Sequence, residues 1–416
     1  MGDKDISDEH RPSAFAAGYV VGAAKSRPFA RGREAVKVLH VITGLNVGGA
    51  ENMLAKLLEA APEGEERDSV VSLLEPGPIA ERIRAGGVRI DSLNMRRGMA
   101  SFGGVQALSR IVRDTVPDII HGWMYHGNLA ASLASMMAKP RILAKQGVPL
   151  VWNVRHSLAD TRRETWKTRA LLRVSASLSR QPAAIIYNSQ VALEQHQAIG
   201  FSSQRSLVLP NGFDCAKYQP DPMARERLCS EFGIEPETLI VGIVARLHPM
   251  KDHAGLIDAV ALARAKGVDV HLLMIGDGLA SPPDKMAAQL ARQLPANRIS
   301  HCGARSDVAL LMPGLDILAV SSAWGEAFPN VIGEALACGV PVVATDVGDS
   351  AVVVGRGGLV VPPCSPGDLA RSILQLGELG REGRRYMGIA GRRHIVENYS
   401  LGAICEQYRV MHQSIL

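Results

Sequence analysis

The stretch "SSAWGEAFPNVIGEALACGVPVVATDVGDS", residues 321–350, decides how this chain is to be read. The apolar run leading into it, "LDILAVSS", reads as a short buried strand that ends at Ser321 and Ser322. "PNVIGEALACG" reads as a helix opened by Pro329, whose missing N–H costs nothing at a helix start, and closed by Gly339. Glu326 then falls in the loop between strand and helix. Asn330 and Glu334 share one helix face, and that face continues from the loop. In open α/β sheets ligands bind in the crevice at the carboxyl ends of the strands, so Glu326, Asn330 and Glu334 together form a candidate ligand surface. Taken singly, either glutamate reads equally well as a dipole partner or a solvated charge.

Outward from this stretch the same alternation repeats. "VKVLHVIT", "SVVSLL", "DIIHGWM", "VWNVRH", "AIIYNS" and "LVLPNGFD" are strand-like runs separated by helix-sized spacers. "LIVGIVAR", "VHLLMIG", "RISHCG", "LDILAVSS", "VPVVAT" and "GGLVV" form a second series. Continuous apolar strands alternating with helices imply parallel sheets covered on both faces. A length of 416 residues suits two such domains at ~100–200 residues each. The expected division is a weakly ordered extension over 1–34, a Rossmann-like domain over 35–214, a second over 215–395, and a C-terminal helix over 396–416 that packs on either domain. The boundary falls in "NGFDCAKYQPDPMARERL", where turn residues cluster around Pro220 and Pro222.

Composition excludes several classes. With 47% hydrophobic and 21% charged residues the chain can bury sizeable cores and is not disordered. The apolar run "SAFAAGYVVGAA" at 13–24 falls short of the ~20 residues a membrane span needs. Its acidic preceding segment and lack of a small-residue cleavage site do not suit a signal peptide. Six scattered cysteines without CxxC spacing point to core fillers in a reducing cytoplasm rather than to zinc or disulfides. The first half, residues 1–214, carries about 27 basic against 20 acidic groups. Its densest part, Arg155, Arg162, Arg163, Lys167, Arg169, Arg173 and Arg180, is read as a helical region, either a solvated face or a surface for anionic lipid or a pyrophosphate-bearing acceptor. Few aromatics interleave these cations, which argues against nucleic acid.

Three other motifs carry chemistry. In "TGLNVGGAEN", Gly44, Gly48 and Gly49 allow a tight turn and a close approach of backbone to ligand, before a helix whose first amides suit a phosphate or sugar. The spacing is not G-x-G-x-x-G, so a nicotinamide or flavin enzyme loses its main support. In "VGIVARLHPMKDH", Arg246 ends a strand and Lys251 follows a Pro249 turn; a fork and a mobile point charge suit a diphosphate, though both also read as ordinary surface cations. His156 in "WNVRHS" reads as a buried structural histidine or as a donor at a cleft mouth. No histidine pair has metal-ligand spacing, and no metal is assigned.

Together "GGAEN", "VWNVRHS", "LPNGFD", "VARLHPMKDH", "GEAFPNVIGEALACGVPVVATDVGDS" and "GGLVVPP" resemble, over about residues 36–410, the family 4 retaining glycosyltransferases of the two-domain GT-B fold. The subgroup most resembled contains bacterial enzymes of surface-polysaccharide or glycolipid assembly. The resemblance implies two Rossmann-like domains whose parallel sheets face one another across a cleft. It gives Arg246 and Lys251 the donor diphosphate, Glu326 the donor-sugar hydroxyls and Glu334 the ribose hydroxyls. Backbone around Phe328, Pro329 and Asn330 lines sugar and phosphate, Gly48 and Gly49 face the reacting centre, His156 lies near the sugar, and Arg305 falls in the loop near the base. Arg246, Lys251, Glu326 and His156 are the residues expected to act in the chemical step, without cofactor or metal. Many relatives have "GG" followed by glutamate where this chain has "VGDSAVVVG", which leaves the roles of Asp349 and Ser350 open.

The implied reaction moves a hexosyl unit from a nucleotide-diphosphate sugar, a UDP-sugar first and GDP-mannose next, to a saccharide or lipid-linked hydroxyl with retention. It would proceed in the cytoplasm, with peripheral contact at the anionic inner face of the membrane as a minority expectation. The rival readings are a GT-B-like sugar-nucleotide epimerase or phosphorylase, and a noncatalytic nucleotide-sugar-binding scaffold.

Overall fold

The computed structural model describes residues 36–60, 68–96, 102–138, 147–158 and 165–416. The N-terminal extension, Arg162 and Arg163 lie outside these. Two sheets organise the rest. The first holds β1 (Val38–Ile42), β2 (Ser69–Ser72), β3 (Arg89–Ser92), β4 (Ile119–Trp123), β5 (Leu150–Val154), β6 (Ala184–Tyr187) and β7 (Ser206–Val208), interleaved with α1 (Gly49–Glu59), α2 (Pro78–Ala85), α3 (Phe102–Thr115), α4 (Met124–Met137), α5 (Trp166–Leu178) and α6 (Gln190–Ala198). After α7 (Ala224–Phe232), the second holds β8 (Leu239–Val244), β9 (Val270–Ile275), β10 (Ile299–Cys302), β11 (Ile317–Val320), β12 (Val342–Thr345) and β13 (Gly358–Val361). Its helices are α8 (His253–Ala265), α9 (Asp284–Gln293), α10 (Val308–Leu311), α11 (Asn330–Ala337), α12 (Ser350–Val354) and α13 (Pro366–Glu378), followed by α14 (Gly380–Tyr399) and α15 (Leu401–Ser414).

Every pairing is parallel. The strand orders are β3-β2-β1-β4-β5-β6-β7 and β10-β9-β8-β11-β12-β13. Each order reverses once, between β1 and β4 and between β8 and β11, and such reversals open the crevice where α/β sheets bind ligands. Central strands bury both faces, as their unbroken apolar runs require: β1, β4, β5 and β9 are buried at every position. Strand β3 escaped the reading above. It is an edge strand whose Arg89 and Asp91 pair with each other, so its apolar signal is diluted by charge.

Two segments cross between the lobes and bond to each other there. Phe213 N–H donates to Tyr399 O and Leu401 N–H to Phe213 O, both at 2.8 Å. Beyond this crossing α15 leaves the second lobe, and its Ile404, Tyr408 and Met411 pack into the core under the first sheet with Val38, Leu54 and Trp123. Helix α14 supports the site helix α11 from behind. Its Gly388 lies so close to the turn ending α11 that an added Cβ would stand 1.8 Å from Gly339 O.

That backbone contact cannot give way as a side chain would. We expect Gly388→Ala to destabilise the protein by about 1–3 kcal/mol, the range of overpacking costs. Gly402→Ala, on α15 with no atom within 4 Å of its would-be Cβ, should instead stabilise by up to ~1 kcal/mol through helix propensity. Urea midpoints of the two variants check both signs.

Candidate active site

The two crevices face one another, and their loops line a small pocket of about 160 Å³. The first lobe contributes Gly49, Arg155, His156, Ser157, Asn188 and Asn211; the second contributes Gly325, Glu326, Ala327, Phe328 and Asn330. Gly49, His156, Glu326, Phe328 and Asn330 are thus brought together. Gly48 stands just behind, as the extended N-cap of α1, with its carbonyl accepting from Asn52 N–H at 3.0 Å.

In the second lobe, the loops after β8 and β11 are tied to each other. Ala323 N–H donates to Met250 O at 2.7 Å, and Ser321 Oγ donates to Lys251 O at 2.7 Å. Lys251 Nζ forms an ion pair with Glu326, whose same oxygen also accepts from Ser322 Oγ at 2.7 Å. Gly348 closes over this loop with φ +62, its would-be Cβ 2.3 Å from Glu326 O, so the chain passes where only glycine fits. Arg246 differs from Lys251. It is exposed at the end of β8 and has no ion-pair partner among the described residues.

Glu334 looks elsewhere on α11. It is half-buried, and that burial raises its carboxyl pKa against the opposing pull of Lys56, Lys217 and the Tyr218 hydroxyl. Lys56 belongs to α1 of the first lobe, donates to Gly212 O at 3.2 Å, and is lowered by its own burial while Glu334 pulls it up. Glu326 and Glu334 therefore face different cations: one the Lys251 of its own lobe, the other a lysine from across the cleft. The ring of Phe328 is in the core against Phe213 and Tyr399, leaving its backbone side to the pocket. Pro329 is the N-cap of α11. Arg305 is held by Glu231 and Asp307 and does not line this pocket.

The first lobe corrects one reading and adds residues that the motifs did not single out. Arg155 is not part of the basic helical region; it follows β5 in a loop, whereas Lys167, Arg169 and Arg173 lie on α5. Its guanidinium sits over Trp123 at 5.8 Å, and Nη1 donates to Tyr408 OH at 2.8 Å and Asn153 Oδ1 at 3.2 Å. Its Nη2 donates to Asn211 Oδ1, and Asn211 Nδ2 donates in turn to Asn330 Oδ1 at 2.5 Å, linking the lobes. Two buried polar atoms at this pocket, Arg155 Nε and Asn188 Oδ1, have no hydrogen-bond partner. Buried polar groups are nearly always paired, so a donor and an acceptor left open at one pocket suit a polyhydroxylated or anionic ligand. Asp349, left open above, crosses between lobes: its carboxylate accepts from Gln190 and Val191 N–H at 2.8 and 3.2 Å, at the start of α6. A negative charge there satisfies free amides and the helix dipole. Ser350 Oγ donates to Val347 O at 2.6 Å within its own turn.

Burial of Glu334 gives a testable pH dependence. Its raised folded pKa means that the native state holds the proton more tightly than the unfolded chain. The stability it contributes is present below the ordinary value of 4.5 and is lost as pH rises through the raised value. We expect Glu334→Gln to melt increasingly above the wild type as pH climbs from 4.5, with a constant gap beyond the folded pKa; a gap of one size at every pH would contradict this.

Residues 48–212 match the family model described as glycosyl transferase 4-like domain, and residues 238–378 the model described as glycosyl transferases group 1. The chain is 26% identical over 332 residues to the provisionally named glycosyltransferase EpsF of Bacillus subtilis (strain 168), covering 77% of this chain and 82% of that protein. It is 28% identical over 295 residues, 67% of each chain, to a D-inositol 3-phosphate glycosyltransferase of Jonesia denitrificans. Among solved structures, Anabaena Alr3699/HepE in complex with UDP superposes with a TM-score of 0.78 at 24% identity, covering 91% of this chain and all of that one. The two family models between them span more than half of the chain, in the order of the two parallel sheets, and the chain belongs to the family 4 glycosyltransferases of the GT-B fold.

Proposed function

We propose that the protein transfers a hexosyl unit from a nucleotide-diphosphate sugar to a hydroxyl of a saccharide or lipid-linked acceptor, with retention of anomeric configuration. The donor is a UDP-sugar first and GDP-mannose second. Structures of Anabaena Alr3699/HepE hold UDP and UDP-glucose, and a 32% identical relative from Mycolicibacterium smegmatis, matched over 46% of this chain, is named as GDP-mannose-dependent. The observation that carries the reading is Arg246. It is an exposed cation with no ion-pair partner among the described residues, in the loop after β8, and the Lys251–Glu326 pair ties that same loop to the one after β11 at the switch point of the second sheet.

In this reading the anomeric carbon–oxygen bond to the diphosphate breaks as positive charge grows on the sugar and negative charge on the departing group. Arg246 meets that negative charge with a planar fork, and Lys251 adds a second cation once it turns from Glu326 to phosphate. Glu326, released from Lys251 but still bonded to Ser322, accepts from sugar hydroxyls, while Glu334 accepts from ribose. A charged hydrogen bond of this kind contributes about 1.5–3 kcal/mol. The acceptor oxygen bonds to the anomeric carbon from the side the diphosphate leaves, and its proton passes to a phosphate oxygen of the departing nucleotide. His156, at the pocket beside Tyr125, orients the sugar. Arg155 Nε and Asn188 Oδ1 are the open donor and acceptor for the incoming hydroxyls.

The first test is a thermal shift of the purified protein with UDP-, GDP- and ADP-sugars, with Glu334→Ala as control. A shift with one nucleotide class, lost in the variant, supports the donor site. No shift with any class counts against a preformed donor site and favours an enzyme that binds its lipid first, whereas a shift without transfer to any of a panel of acceptors favours the scaffold reading. With donor and acceptor identified, Arg246→Ala should lower kcat by ~10²–10³, as loss of one preorganised charge-stabilising donor does elsewhere. Near-normal turnover would remove Arg246 from the mechanism. An inverted anomer in the product's proton NMR spectrum would defeat retention.

A further inference from the structure

A cavity larger than the cleft pocket lies apart from it. It measures about 660 Å³ and lies wholly in the first lobe, at the carboxyl ends of β1, β2 and β3 and between α3 and α4. That volume lies within the range of small-molecule sites, roughly 300–1,000 Å³. Its walls are aliphatic. Leu74 follows β2, Met95 follows β3, Leu108 comes from α3, and Leu129 and Leu133 come from α4. Apart from the imidazole of His126, no ring among the described residues lines it. Such a wall gives a sugar neither a stacking face nor enough hydrogen-bond partners, but it suits a chain of methylene or isoprene units.

Polar groups come from the loop after β1 and the first turns of α1 and α4, with Arg96 after β3. The loop after β1 is the shared wall of cavity and cleft: its Gly44 and Asn46 line the cavity, and Gly49 at its end lines the cleft pocket opposite Glu326. Glu51, in the first turn of α1, also borders the cavity, and burial raises its carboxyl pKa. Arg96 stands exposed at the rim. Cavity and cleft pocket are thus neighbours across one loop of the first lobe.

We propose that this cavity holds the aliphatic chain of a lipid-linked acceptor, so that the acceptor is selected by its tail as well as by its sugar. This rests on the transferase reading for the role of the ligand, but not for the cavity's ability to bind an aliphatic chain. The experiment separates the two. The apolar dye N-phenyl-1-naphthylamine should brighten on binding the full-length protein, and octyl β-glucoside should displace it at far lower concentration than butyl or methyl β-glucoside. Each methylene should improve displacement up to about fourfold, the equivalent of ~0.8 kcal/mol. Ala130→Phe on α4 and Val105→Phe on α3 fill the cavity from opposite walls, and each should weaken dye binding at least tenfold while leaving the nucleotide-sugar thermal shift unchanged.

Dye binding in both variants equal to the wild type overturns the proposal, as does displacement independent of tail length. Dye binding that falls as protein concentration rises would give the cavity to a second copy of the chain and also overturn it. Where the identified donor is transferred, tailed acceptors should show a KM at least tenfold below that of the tailless sugar, and this preference should vanish in the filled variants. Tail-dependent dye displacement without transfer to any acceptor would leave the cavity assigned and defeat the transferase reading instead.

Discussion

The arrangement at the cleft depends on one short contact between two passes of the chain. Phe213, leaving the first lobe, and Tyr399 to Leu401, returning to it, bond to each other through backbone alone. Because both passes are fixed at the same point, the switch points of two separately built sheets meet in one register. An added Cβ on Gly212 would stand 2.9 Å from Leu401 Cα, so the passes lie nearly in contact. The Phe213 ring continues this junction into the second lobe. It stacks on Phe328, the residue just before Pro329 and the start of α11, and it lies against Gly333 within that helix. The site helix and the interlobe crossing are thus packed as one unit.

From that crossing the half-buried charge of Arg155 becomes intelligible. A guanidinium taken from water needs its donors matched, and four groups meet it: Tyr408 and Trp123 on one side, Asn153 and Asn211 on the other. Tyr408 is available because α15 has returned to the first lobe. Behind it, His121 bonds to His412 at 3.1 Å, and both are held neutral, His412 with its pKa lowered to about 3 chiefly by burial. Neutral imidazoles can sit beside Arg155 without repelling it. The C-terminal helix therefore does electrostatic work at the cleft that its own amphipathic pattern would never announce.

How much of this was legible follows from where each signal lives. Continuous apolar strands announce themselves by composition, so all six strands of the second sheet and six of the first coincide with the runs read from sequence. Strand β3 did not, because an exposed edge needs no apolar run. The loop carrying Glu326 and the start of α11 was readable because strand, proline and glycine punctuate it locally. Arg155 was misplaced for the converse reason: counted along the chain it belongs to a basic cluster, and only the fold turns it inward. Asn211, Tyr408 and the α6 cap provided by Asp349 depend on partners 56 to 253 residues away. No local pattern records such pairs. The aliphatic cavity was equally hidden, since its walls come from three strand ends and two helices, none unusual alone.

The contrast between Arg246 and Lys251 carries the last step. Before a donor arrives, Lys251 and Glu326 satisfy each other, with Ser322 and Ser321 fixing both ends of the pair. Such a pair keeps a largely buried carboxylate from standing alone, which would otherwise cost several kcal/mol. Arg246 has no such tie and is exposed. On the proposed function, a phosphate entering the crevice therefore meets Arg246 at no cost in broken contacts. It draws Lys251 only by giving Glu326 something in exchange, namely the hydroxyls of the attached sugar. A free nucleoside diphosphate lacks those hydroxyls, so in the proposed reading it leaves the Lys251–Glu326 pair intact and is held by Arg246 and by its ribose on Glu334. On the proposed function, the Lys251–Glu326 ion pair thereby favours the intact nucleotide sugar over the spent nucleotide, which is the discrimination a transferase needs in order to release its product.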